Sequence, residues 1–124
     1  MPTSMDKRNR MICLFDCYGN LLTDKQKALF HYYFDDDLSL AEISQMAGIS
    51  RQAVHNSITR CESLLEKYED QLHIYSRFSA QDALASEMAV CIEESLATGT
   101  WSRDRYASLL QRINALRKAD TDGA

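Results

Sequence analysis

The sequence predicts an all-α protein built around a helix-turn-helix. Apolar residues recur at helical spacing along most of the chain. Helix breakers are scarce: one Pro, at position 2, and four Gly in 124 residues. Residues 38–60 set two capped helical segments on either side of Gly48.

The first helix is expected over 8–18, with Met11, Leu14, Phe15 and Tyr18 on one face and Gly19-Asn20 ending it. Residues 1–6 and 120–124 read as frayed ends. Thr23 to Gln26 has the capping-box pattern and opens a second helix, with Leu29, Tyr32 and Tyr33 as its buried stripe. Asp35-Asp36-Asp37 then breaks the pattern, because Asp is a poor helix former and acids near a helix C-terminus oppose its dipole. Ser39 to Glu42 is a second capping box, opening a short helix to about Ala47.

Ser50 caps a long fourth helix, expected over 51–76. Its stripe of Val54, Ile58, Cys61, Leu65, Tyr68, Leu72 and Tyr75 repeats at alternating spacings of four and three. That is a heptad seam, which packs either inside the chain or against a second copy. A fifth helix is expected at about 80–97, capped at Ser79, with Leu84, Met88, Cys91, Ile92 and Leu96 inward. A sixth follows at about 103–118, capped at Ser102, with Tyr106, Leu109, Leu110, Ile113 and Leu116 on one face and Trp101 placed as a hydrophobic staple. The expected organisation is a helix-turn-helix domain over 1–78 and a C-terminal helical extension, 79–124, that packs on it or forms a dimer contact.

Within residues 38–60, Ile43 and Ala47 are expected to face inward from the first helix, Ile49 to plug the turn, and Val54 and Ile58 to face inward from the second. Ser44 is small where the two helices cross. The outward side of the second helix then offers Arg51, Gln52, His55, Asn56, Thr59 and Arg60, side chains able to reach phosphates or base edges. Ser50 and the free amides of the helix start complete a candidate nucleic-acid face.

Charge narrows the function classes. The net charge of −4 argues against a protein that coats nucleic acid. Two windows, 43–61 and 7–15, nevertheless contain bases and no acid. Phosphate-binding Gly-rich loops, nucleophile elbows and His-Glu-x-x-His patterns are all missing, so neither an enzyme nor a cofactor is expected. Cys13, Cys17, Cys61 and Cys91 form no Cys-x-x-Cys pair and read as small core thiols; no metal site is expected, including at His31 before the aspartates. No stretch approaches the roughly 20 apolar residues of a membrane span, and the first ten residues lack a signal peptide's apolar segment. A cytoplasmic protein with no membrane insertion is the expectation.

Residues 38–60 resemble region 4 of bacterial sigma factors, whose helix-turn-helix contacts promoter DNA. A longer likeness covers about 12–78. It is carried by Leu14 to Gln26, Tyr32-Tyr33-Phe34 with the three aspartates, Ser39 to Ile43, Ser50 to Val54, Glu66 to Glu69 and Leu72-His73. These resemble the YlxM family, small bacterial helix-turn-helix proteins encoded beside the genes of the signal recognition particle. The resemblance implies a sigma-region-4-like fold with two added C-terminal helices. It also implies an accessory or regulatory role in the particle's targeting pathway, with its RNA, its GTPases (Ffh, FtsY), or both as partners. A DNA-binding transcription regulator is the alternative reading, and a homodimer is expected from the heptad seam. One departure stands out: Ser57 occupies a position where sigma-type units usually keep an apolar residue, and Ile58 lies one place later.

Overall fold

The structure, a computed structural model, describes residues 4–122, with side chains from 6 to 119. Its helices are α1 (Ser4–Tyr18), α2 (Asp24–Phe30), α3 (Leu40–Ala47), α4 (Arg51–Leu72), α5 (Ile74–Thr98) and α6 (Arg103–Asp122), with no strand among the described residues. The all-α fold with a long fourth helix is therefore as the sequence predicts. The helix ends are longer than expected. Residues 4–6 and 120–122 are helical, and the remaining terminal residues expected to fray lie outside the described ones. The chain divides into two compact units, one ending at Tyr75 and one beginning at Ser76.

In the first unit α4 is the spine, packed against α1, α2 and α3. Leu14 and Tyr18 of α1, Leu29 and Phe30 of α2, Ile43 of α3, and Val54, Ile58, Cys61 and Leu65 of α4 share one buried core. Phe15 stacks on Phe30 with ring centroids 4.4 Å apart. The Phe15 ring also explains the glycine that follows α1: a Cβ on Gly19 would meet it at 2.9 Å.

Three expectations about facing are corrected here. Tyr33 is exposed, and Phe34 is buried in its place. The cause is a π-helical turn over His31–Asp35 that continues α2; its wider winding rotates the later residues relative to a regular α-helix. Ala47 is exposed. The chain leaves α3 at the next residue, and Ile49 supplies the packing instead. The long helix stops at Leu72, short of 76, because His73 takes a left-handed conformation with φ 55°. Leu72 is accordingly exposed, whereas Tyr68 and Tyr75 pack on the core. The proposed dimer seam on α4 is thus largely occupied by the chain's own interior.

The acid-free window at 7–15 is also accounted for internally. Lys7 pairs with Glu62 at 2.8 Å and Arg8 with Asp37 at 2.9 Å. The Arg10 guanidinium holds both Glu66 oxygens, at 2.7 and 2.8 Å. Hydrogen bonding to Arg10 holds the Glu66 carboxyl below the usual glutamate value of 4.5. A depressed folded pKa gives stability that is present above the unfolded value and lost as pH falls through the folded one. Melting curves from neutral to acid pH should therefore show wild type above Arg10→Ala at neutral pH, with the gap closing below about pH 4.5. The gap should be small, since both side chains are more than a third exposed.

In the second unit, the rest of α5 and all of α6 form a helical hairpin that turns at Gly99 (φ 71°). The fifth helix has no start at Ser79; Ser79 lies inside α5. Ser102 caps α6 through its hydroxyl, which accepts from the Arg105 amide at 3.3 Å, and Trp101 meets Tyr106 with ring centroids 5.8 Å apart. One edge of the hairpin is tied by Arg105 to Glu94 and Arg112 to Glu87. Between the helices, the Tyr106 hydroxyl donates to Ser95 Oγ at 2.8 Å. Of the residues expected to face inward, Leu84 and Cys91 are buried, but Ile92, Leu96 and Leu110 are exposed.

Candidate nucleic-acid interface

The site begins with the chemistry that ends α3. Ser39 Oγ accepts from the Glu42 amide at 3.1 Å and the Glu42 carboxylate accepts from the Ser39 amide at 3.2 Å, a complete capping box. Gly48 closes α3 in the left-handed region, φ 71° and ψ 28°. Ser44 Oγ donates to the Ile49 carbonyl at 2.5 Å, tying α3 to the turn beyond it. Ser44 therefore does more than leave room at a crossing. Ser50 Oγ then accepts from the Ala53 amide at 3.0 Å and starts α4.

Gly48 gives a local test of this turn. Nothing lies within 4 Å of a Cβ placed there, so only backbone strain opposes a side chain. Gly48→Ala should cost about 1 kcal/mol in denaturant unfolding, and Gly48→Asn less, because Asn tolerates this region. A cost well above that would place the effect in packing.

Val54 and Ile58 are buried and fix how α4 is rolled about its axis. Ile58 fills the core position and Ser57 is half-buried beside it. With that roll, Ser50, Arg51, Gln52, His55, Asn56, Thr59 and Arg60 are all exposed. At about 100° per residue, Gln52, His55, Asn56 and Thr59 fall in a central stripe, with Arg51 and Arg60 on its two flanks. The Gln52 amide donates to Asn56 Oδ1 at 3.0 Å, so two candidate base readers are held together. The first turn of α4 carries no acid to repel a phosphate.

Neither Arg51 nor Arg60 has an ion-pair partner among the described residues. The acids nearest in sequence to Arg60 are already used: Glu62 holds Lys7 and Glu66 holds Arg10. The face thus combines unpaired cations at its edges with hydrogen-bonding side chains between them. Such a set suits phosphates flanking readable base edges.

Sequence reasoning missed a second polar cluster, on the far end of α4. Glu69 is 6% exposed, and its Oε1 accepts from the Tyr18 hydroxyl at 2.5 Å and the Tyr75 amide at 3.0 Å. Tyr18 Oη in turn accepts from the Ile74 amide at 3.0 Å. Burial first, then the Glu69 contact, pushes the Tyr18 phenol above its usual 10. In sequence Glu69 sits in an acidic run, Glu66 to Asp70, that reads as a solvated face. Its place in the heptad between Leu65 and Leu72 was the available signal. No group of three or more metal-ligating side chains occurs among the described residues. No helix among them is long and apolar enough to cross a membrane.

Comparison with known proteins agrees with the helix-turn-helix. The UPF0122 family model, helix-turn-helix protein, YlxM / p13 like, matches residues 5–98. The chain is 46% identical over 118 residues to UPF0122 protein YofM of Lactococcus lactis, covering 95% of this chain and 96% of that one. It is 40% identical over 112 residues to UPF0122 protein ABC2295 of Shouchella clausii, covering 90% and 98% respectively. A UPF0122 protein of Streptococcus gordonii is 47% identical over 85 residues, 68% of this chain and 77% of its own. The likeness therefore reaches beyond residue 78, where the sequence motifs fade, and takes in α5.

Proposed function

This chain belongs to the UPF0122 family of YlxM/p13-like helix-turn-helix proteins, and from that premise we propose that it is a cytoplasmic, non-enzymatic binding module of the signal recognition particle pathway. In this reading it is an accessory or regulatory component that acts as a homodimer. Its exposed α4 face binds the particle's RNA, and its acidic remainder leaves room for contact with the basic surfaces of an RNA-binding GTPase such as Ffh or FtsY. The observation that supports a nucleic-acid ligand is the pair Arg51 and Arg60, exposed and without ion-pair partners among the described residues while the α1 cations are paired. The pathway itself rests on the resemblance of residues 12–78 to YlxM proteins.

A second reading, a DNA-binding regulator with a sigma-region-4-like unit, is favoured by one detail. The linked Gln52 and Asn56 lie at the N-terminal part of α4, where helix-turn-helix proteins reach major-groove base edges. Fluorescence anisotropy against labelled signal recognition particle RNA and mixed-sequence duplex DNA separates the two. We expect RNA binding that persists at physiological salt and exceeds DNA binding. Tighter binding to duplex would favour the regulator. Binding to neither would remove nucleic acid as the ligand and move the search to the GTPases.

A further inference from the structure

Lys25 on α2 is an exposed cation that the α4 face does not include, and like Arg60 it enters no ion pair among the described residues. The packing of α2 on α4 decides where it stands. Cys61 Sγ donates to the Gln26 carbonyl at 3.9 Å, so the first turn of α2 lies level with Arg60 and Cys61.

The order of contacts round α4 shows which flank Arg60 occupies. Glu62, Glu66 and Glu69 meet Lys7, Arg10 and Tyr18, so α1 lies along one side. Ile58, Leu65 and Val54 come next, facing the core, and then Cys61, facing α2. Arg60 follows about 100° beyond Cys61, on the flank away from α1. All the acids of α4, Glu62, Glu66, Glu69 and Asp70, fall within an arc of about 100° on the α1 side.

The same reading places Lys25. Phe30 stacks on Phe15 of α1 and marks the side of α2 turned to α1. Leu29, buried in the core about 100° round from it, marks the side turned to α4. Lys25 is one turn before Leu29 and shares that side. Lys27 is one turn before His31, which meets the Phe15 ring edge-on, and so belongs to the α1 side. Asp24 lies about 100° from Lys25, turned away from α4. Lys25 and Arg60 therefore share one strip of surface along the seam between α2 and α4.

On α1, Lys7, Arg8 and Arg10 are each neutralised by an acid. On the α2–α4 strip two like charges stand together with no acid between them. Such a strip attracts a chain of negative charges, and it continues the candidate α4 face at the end where Arg60 lies. We propose that the phosphate backbone of a nucleic acid on the α4 face runs on past Arg60 to Lys25, so that α2 supplies a second anchor. The proposal rests on the nucleic-acid reading above and lengthens its footprint.

Salt titrations of the full chain by fluorescence anisotropy test it, on a labelled stem-loop RNA and a mixed-sequence DNA duplex, with Lys25→Gln, Lys27→Gln and Arg60→Gln. Gln removes the charge and keeps a good helix former. Lys25→Gln should lower the slope of log K against log salt by about 0.7–0.9 and weaken binding roughly five- to tenfold at about 100 mM salt. Arg60→Gln should do the same, Lys25→Arg should keep the wild-type slope, and Lys27→Gln should change neither quantity. A fall on the RNA alone would assign the strip to RNA, and a fall on the duplex alone to DNA; both support the anchor. Wild type that binds neither probe would overturn the nucleic-acid reading and the strip with it. A wild-type slope in Lys25→Gln beside a flattened one in Arg60→Gln would overturn the α2 anchor alone, and wild-type slopes in both would overturn the α4 face as well. Equal flattening by Lys25→Gln and Lys27→Gln would also overturn the anchor, because net charge rather than position would then set the affinity.

Discussion

Replacing Arg51 and Arg60 together with alanine will weaken nucleic-acid binding and flatten its salt dependence. Both side chains are exposed on the flanks of the α4 face, and neither has an ion-pair partner among the described residues. Their loss therefore removes charge from the surface and leaves no buried carboxylate unpaired. Each phosphate contact contributes about 0.9 to the slope of log K against log salt on duplex DNA, and about 0.7 on a single strand. Losing two contacts lowers the duplex slope by about 1.8. The affinity lost between about 50 and 200 mM salt then shrinks by roughly tenfold relative to wild type. Gln52→Ala with Asn56→Ala should behave differently, reducing affinity and sequence preference with the slope unchanged, as expected of base contacts. Folding should survive all of these changes, since alanine favours helix and the positions bury nothing. A wild-type slope in the double arginine variant would remove this face from the binding model.

That prediction is available from sequence because the facing of α4 is local information. Val54 and Ile58, four apart, fix which side is inward, and all seven candidate residues are exposed as that spacing requires. The capping boxes at Thr23 and Ser39 and the cap at Ser50 were equally legible, since each is a contact between residues three apart. What failed depended on distant partners or unusual winding. A π-helical turn leaves no mark in an apolar stripe, so Tyr33 and Phe34 exchanged roles. The ion pairs from α1 to α4 join residues 55 or 56 apart in sequence, so the cations of the 7–15 window looked free. Just past the break at His73 the Ile74 and Tyr75 amides donate to Tyr18 and Glu69, and nothing in the heptad around it announces a left-handed residue.

The same cluster around Glu69 supplies the largest stability effect to expect. Tyr18→Phe removes one hydroxyl and with it two contacts, the donor to Glu69 Oε1 and the acceptor for the Ile74 amide. Both groups left behind are polar, and Glu69 is almost fully enclosed. A buried hydrogen bond to a charged group is worth about 1.5–3 kcal/mol, and an unmet amide adds to the loss. A cost of about 2–3 kcal/mol corresponds to a melting point roughly 10 °C or more lower in a unit of this size. Glu69→Gln keeps an oxygen acceptor and removes the charge, so it should cost less than Tyr18→Phe. The two together should cost less than their sum, because each removes part of the same contact. Alkaline pH gives an independent check. The Tyr18 phenol is held above its usual 10, so its proton binds more tightly in the folded chain. Its contribution is then complete below pH 10 and is lost as pH rises through the folded value. Tyr18→Phe lacks that titration, so its stability gap to wild type should narrow above pH 10 and stay constant below it. A gap that does not narrow would locate the loss in packing around the ring rather than in the hydroxyl.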